Sequence, residues 1–363
     1  KLILNNNYAD ATSMKEALVY DMYQYLGADA SLYNYAELSL NGEYWGVYLV
    51  LEAVEDSFML RNYGTENGEL YKPDGMNMGN RGGERPDDND FKNMEPPASD
   101  GNDSFSKSRF VGGNMPEKFD TFSFGGMPPN EKGESDFRAD EHTEASDERG
   151  DAKRMPGTGG FDRSKSGGFS MGGNGANLNY IDKDTDSYST IWEGEVTKTT
   201  KSDHKRVVKA LQNISEGTDI EKYMDVDNLL KYMAVHVFSV NEDSLLGMMA
   251  HNYYLYESDG QLNILPWDYN LALGGMGGMG GKNRSDSATS TINDAIDYAF
   301  SGTEFFDTLM EDEEYNKIYY GYLKQLVEKY IYGGGFEDFY HTTRNRIDSL
   351  VKSDPTAFYT YEE

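Results

Sequence analysis

The chain has 363 residues and a formal net charge of −30, from 33 Lys and Arg against 63 Asp and Glu. So acidic a surface repels phosphate backbones, which argues against nucleic acid as a partner and means that ATP would have to arrive with a divalent cation. The absence of cysteine excludes disulfides, thiolate zinc sites and cysteine nucleophiles.

Hydrophobic content is 37%, and many of the 39 glycines fall in one stretch. The expectation is one core of roughly 240–260 residues carrying a long insertion. No run of 18 apolar residues marks a membrane segment and no signal peptide is visible. Lys1-Leu2-Ile3-Leu4-Asn5 reads as a strand in mid-flow, so the domain is expected to start upstream, with any signal sequence there too.

Ser13-Met14-Lys15-Glu16 fits a capping box, and Ala17, Leu18, Met22, Tyr25 and Leu26 follow at helical spacing up to Gly27. Strands are expected over Tyr35–Leu40 and Tyr44–Leu51, joined at Asn41-Gly42. Asp56–Tyr63 reads as a helix stopped by Gly64, and Glu69–Lys72 as an extended piece stopped by Pro73. Residues 76–178 are dominated by Gly, Asp, Asn, Met, Ser and Pro; they cannot bury enough apolar surface to offset their chain entropy, so a disordered insertion is expected.

Helices are expected over Ser202–Ile214 and Val226–Val240, then a hairpin of Asn252–Glu257 and Gln261–Leu265 across Ser258-Asp259-Gly260. Gly274–Gly281 is another Gly/Met loop, and about 291–352 reads as helical. The fold class is therefore α+β, with three parts: 1–75, the insertion 76–178, and a mostly helical 179–363.

The chemistry concentrates in 238–275. An apolar helix delivers a polar loop holding Asp243 and Asn252, a hairpin follows, and an apolar run then opens onto Trp267-Asp268. Phosphoryl transfer uses such a set in this order: a carboxylate for the attacking hydroxyl, then an amide oxygen and a second carboxylate that hold metal against the phosphates. The gap from Asp243 to Asn252 is longer than in protein kinases, and no arginine precedes Asp243.

At this point the chain resembles the CotH kinase family. The likeness rests on Leu2–Ala11 with the following helix, Asn41-Gly-Glu-Tyr-Trp-Gly46-Val-Tyr48-Leu-Val-Leu-Glu52, Gly68-Glu-Leu-Tyr71-Lys72, His251-Asn252-Tyr-Tyr-Leu-Tyr and Pro266-Trp267-Asp268-Tyr-Asn270. The resemblance implies an atypical protein-kinase-like, two-lobed fold with its N-terminal lobe truncated. It implies ATP with Mg²⁺ or Mn²⁺ (or Ca²⁺) as cofactors, and transfer of the γ-phosphate to Ser or Thr of a secreted, surface or coat protein. It makes Asp243 the catalytic carboxylate, Asp268 a metal ligand and Asn252 a second one.

Trp267 would wall the adenine pocket, unless it is simply a core tryptophan. Glu52-Ala53-Val54 would be the hinge meeting adenine, and the 13–26 helix the counterpart of the kinase αC helix. The strand with the phosphate-binding lysine would precede residue 1; Lys72 is the alternative ligand, or a plain surface lysine. Glu16 would be the partner carboxylate on the helix, though the capping box explains it equally.

Asp182, Asp184, Asp186 and Glu193 match positions 1, 3, 5 and 12 of a calcium loop, but Ser187 stands where glycine is needed; the alternative is an acidic turn leading into a strand. His251, beside Asn252, is read as a structural histidine near the site. Two other functions remain open on the sequence. One is a non-catalytic surface or coat assembly protein that keeps the fold. The other is a glycoside-cleaving domain, which would need two carboxylates across a cleft without metal.

Overall fold

The computed structural model describes residues 1–74, 174–241, 243–246, 250–273 and 304–362. Among these, helices and two antiparallel three-stranded sheets share the chain, an α+β arrangement. The first sheet has the order β1-β3-β2, from β1 (Leu2–Asn5), β2 (Tyr33–Leu40) and β3 (Glu43–Glu52). Asn41 and Gly42 turn the β2–β3 hairpin with φ of 54° and 88°, the left-handed pair that a two-residue turn requires. Helix α1 (Lys15–Leu26) joins β1 to β2 and ends on left-handed Gly27. Helix α2 (Asp56–Tyr63) follows the sheet and spans the expected residues.

The second sheet has the order β4-β5-β6, from β4 (Glu69–Tyr71), β5 (Tyr253–Ser258) and β6 (Gln261–Pro266). The β5–β6 hairpin is pinned by Glu257, which is fully buried and takes two hydrogen bonds from Arg206, at 2.7 and 2.8 Å, and one from the Gly260 N–H at 2.6 Å. Such bidentate geometry compensates the desolvation of that carboxylate.

Between β4 and β5 come α3 (Ser189–Glu193), α4 (Lys201–Ser215), α5 (Ile220–Tyr223) and α6 (Val226–Phe238). Helix α4 starts on a true capping box between Thr200 and Asp203. After β6 come α7 (Glu304–Met310), α8 (Glu313–Gln325), a π-helical turn (Leu326–Ile331) and α9 (Gly335–Lys352). Helix α6 is buried nearly all round, because its apolar residues run beyond one stripe. It packs against α1, α8 and β6, and so forms the axis of the core.

Three expectations are corrected. Ser13 and Glu16 form no capping box: α1 has no side-chain cap, and Ser13 sits at φ 55°. Asp10 takes over, accepting from the Lys15 N–H at 2.7 Å and from the Thr12 N–H and hydroxyl, which frees Glu16 to turn inward. The acidic run from Asp182 leads into a 3₁₀ turn and α3, not a strand. Its carboxylates are spent on that turn: Asp182 accepts from the Asp184 N–H and the Ser187 hydroxyl, and Asp184 from the Asp186 N–H. The insertion expected over 76–178 lies outside the described residues up to 173, but 174–178 already pack, with Ala176 and Leu178 buried and the Tyr253 hydroxyl on the Ala176 carbonyl at 2.5 Å. The loop expected at 274–281 also lies outside them.

Candidate functional site

The register of the second sheet assembles the site. Tyr253 pairs with Pro266, so Asn252 and Trp267 leave the open end of the β5–β6 hairpin side by side. Tyr71 pairs with Leu255, which delivers Lys72 to the same end. The end of α6 is fastened there too, because the Leu273 N–H donates to the Ser239 carbonyl at 2.6 Å. Sequence-remote groups thus meet through strand pairing and this loop contact.

Asp243 is buried, 8% exposed, and held from three sides. Its N–H donates to Asn241 Oδ1 at 3.3 Å. Asn252 Nδ2 donates to its carbonyl at 2.9 Å and its Oδ2 at 3.1 Å. His251 Nε2 meets its Oδ1 at 2.5 Å, and His251 Nδ1 lies 3.8 Å from Asp74.

Asp268 lies at a cleft of about 320 Å³ together with Trp267, Glu16, Asn5, Tyr48 and Leu51. Desolvation raises the Asp268 carboxyl above the usual carboxylate range, and the charge of Asp243 adds to this; Lys72 and His251 oppose it. Glu16, 4% exposed, is pushed up to about 8 by burial, with the Asp268 charge second. Its Oε1 accepts from the Tyr269 N–H at 3.3 Å, and the Asn5 amide donates to its Oε2. Asp268 is thus crowded by two other carboxylates, and the surrounding hydrogen bonds, Lys72 and His251 offset the repulsion.

Lys72 is exposed as a residue, yet its ammonium lies over the rings of Trp267, 5.4 Å away, and Tyr254, 5.7 Å away. Desolvation lowers its pKa, against the pull of Asp268 and Asp74. The rings of Trp267 and Tyr254 meet edge-to-face at 5.4 Å.

Left-handed backbone recurs here, as it does at Ala9, Ser13 and Leu178 elsewhere in the chain. Val240, Ala250, Asn252 and Asp268 all have positive φ, between 46° and 57°. Asn and Asp tolerate this region; Val and Ala do so at a cost, and such residues concentrate where structure serves function.

Of the residues singled out in the sequence, Asp243, Asn252, Asp268, Lys72 and Trp267 come together here. Glu52 does not join them, whereas Val54 belongs to the small cluster that holds Tyr254 and against which Trp267 packs. The Glu52 carboxylate is tied to Arg61 at 2.5 Å and accepts from the Leu32 N–H; its own N–H donates to the Leu32 carbonyl, and that of Ala53 to the Lys1 carbonyl. Val54 is buried in a small cluster with Phe58, Met59 and Leu70. His251, read from the sequence as a structural histidine near the site, lies there against Asp243. Among the described residues no group of three or more His, Asp or Glu side chains is arranged to hold a metal ion by itself.

The model of the family described as CotH kinase protein matches residues 1–112 and 151–363. The chain belongs to the CotH family. One relative is the inner spore coat protein H of Bacillus subtilis (strain 168), 37% identical over 59 residues, which is 16% of this chain and 15% of that protein. The match to that CotH-family relative thus spans under a sixth of its length. Among the described residues of this CotH-family chain no helix is long and apolar enough to cross a membrane.

Proposed function

We propose that this chain is a phosphotransferase of the atypical protein-kinase-like type, acting on Ser or Thr of a surface or coat protein. The observation that carries the reading is Asp268 at the cleft, with Asp243 close enough to raise its pKa and Lys72 close enough to oppose that rise. The coat context of the Bacillus relative fits the proposed location.

The residues fit Mg²⁺ or Mn²⁺. Asp268 and the amide oxygen of Asn252 are hard oxygen donors, and Asn252 turns its Nδ2 to Asp243, which leaves Oδ1 for other partners. A site without three preassembled ligands suits an ion that is also held by substrate phosphates. Such an ion, when bound, would neutralise charge on the β- and γ-phosphates.

Asp243 orients the attacking hydroxyl and takes its proton. Asn252 and His251 fix its carboxylate so that little reorganisation is needed at that moment. Lys72 is the phosphate-binding cation, kept in line by the faces of Trp267 and Tyr254. Trp267 and Leu51 supply apolar surface for the base.

One observation favours a second reading, a coat assembly protein without turnover: the carboxylate of Glu16, on the helix that would correspond to αC, is met by the Asn5 amide and not by a lysine. Calorimetry of ATP binding with and without Mg²⁺ separates the two. Metal-dependent binding supports the enzyme; an absence of nucleotide binding supports assembly.

A further inference from the structure

We propose that His236 is the positioning residue that holds the Asp243 loop, the Asp268 turn and the Glu16 helix in one register. This rests on the phosphotransferase reading above and deepens it.

His236 is 2% exposed on α6, between segments that each carry one of the crowded carboxylates. Its Nε2 lies 3.0 Å from the hydroxyl of Ser244, the neighbour of Asp243. Its Nδ1 lies 3.0 Å from the hydroxyl of Tyr269, the neighbour of Asp268. The Tyr269 hydroxyl in turn lies 2.5 Å from that of Tyr23, which sits two turns beyond Glu16 on the same helix.

The directions of these bonds follow from counting hydrogens. Ser244 Oγ is 2.9 Å from the Asn241 carbonyl, which can only accept, so the serine hydrogen goes there. His236 must then donate from Nε2 to Ser244. Its Nδ1 is left as the acceptor and takes the Tyr269 hydrogen. Tyr23 then donates to Tyr269 rather than to the Tyr232 carbonyl, which is farther away at 3.4 Å. One tautomer satisfies the whole chain. Burial lowers the His236 pKa to about 3, so the ring stays neutral, and it stacks on Tyr232 at 5.5 Å.

The physical need is plain. Asp268 repels both Asp243 and Glu16, and ties between the segments that carry them oppose that repulsion. A buried neutral network ties them without adding charge to the site.

Ser244→Ala and Tyr269→Phe each delete one oxygen of the network and keep most of the packing. Hydrogen exchange of the whole chain should then show the cut at both ends: Ser244→Ala speeds exchange in 267–273 as well as in 243–246, and Tyr269→Phe does the reverse. The transfer rate should fall about tenfold with KM for ATP within about twofold of the parent, the pattern of a transition-state geometry loss. Nitrogen NMR of the parent should show the Nε2–H tautomer. Exchange changes confined to the altered segment, or an Nδ1–H ring, would overturn the proposal. If the parent transfers no phosphate while exchange still couples the two segments, the phosphotransferase reading fails and the positioning role of His236 stands.

Discussion

Asn252 gives its amide to Asp243 twice, to the carbonyl at 2.9 Å and to Oδ2 at 3.1 Å. The amide therefore closes the loop from Asp243 to Asn252 on itself and leaves its own oxygen facing away. Asn252→Asp replaces this donor with an acceptor beside a buried carboxylate. It should cost at least about 1–3 kcal/mol of stability, the range for a buried polar group left unsatisfied. Denaturant unfolding of both proteins checks this; an unchanged midpoint would mean that the loop is held by other contacts.

Asp243→Asn and Asp268→Asn should separate cleanly. Asparagine tolerates the left-handed backbone of Asp268, so that variant removes charge without adding strain. Asp268→Asn should weaken metal-dependent ATP binding and abolish transfer. Asp243→Asn should keep ATP binding and lower turnover by a factor of about 10²–10⁴, the range for a positioned acid–base group. Calorimetry beside a transfer assay reads both; identical profiles for the two variants would contradict the assigned roles.

The carboxyl of Glu16 is pushed up to about 8, and that of Asp268 is raised as well. For an acid raised in the folded state, folding binds protons. The Glu16 contribution to stability is therefore full below its ordinary value of 4.5 and is lost as pH climbs through about 8. The metal-free protein should lose stability between pH 5 and 8, and Glu16→Gln should flatten that slope, since an amide oxygen still accepts from the Tyr269 N–H. Urea titrations at several pH values check it; parallel slopes in parent and variant would contradict it.

Gly46 explains part of the Asn-Gly-x-Tyr-x-Gly-x-Tyr pattern. A Cβ there would lie 2.7 Å from Thr356 Oγ1 and 2.9 Å from Asp354 Oδ1. The same Asp354 accepts from the Val47 N–H at 3.0 Å, so the C-terminal segment is seated on β3. Gly46→Ala should unseat it and cost about 1–3 kcal/mol, the usual range for overpacking. A thermal melt of the variant matching the parent would show that the segment can move aside freely.

Local signals were legible where one segment decides its own structure. The Asn41-Gly42 turn, the helix over 56–63 and the stop at Gly27 each follow from a few neighbouring residues. The nearness of Asp243 to Asp268, close enough for one charge to act on the other, follows the order of residues along helix, loop and hairpin. What was hidden depends on remote contacts. Glu16 looked like a cap until Asp10 proved to be the group that binds the Lys15 N–H. Lys72 reaches Asp268 only through the register of β4 on β5, which no spacing encodes. His251 offers no periodic signal; its partner is fixed by how the loop from Asp243 folds back. His236 read as one more residue of an apolar helix, because its partners Ser244 and Tyr269 lie on two other segments.

The most direct measurement is transfer of labelled phosphate from ATP, with Mg²⁺ or Mn²⁺, by the parent chain and by Asp268→Asn in parallel. The account predicts label in the parent that disappears when the metal is chelated and is absent from the variant. Label that survives in Asp268→Asn, or a parent that takes no label and binds no ATP with either metal, would contradict it.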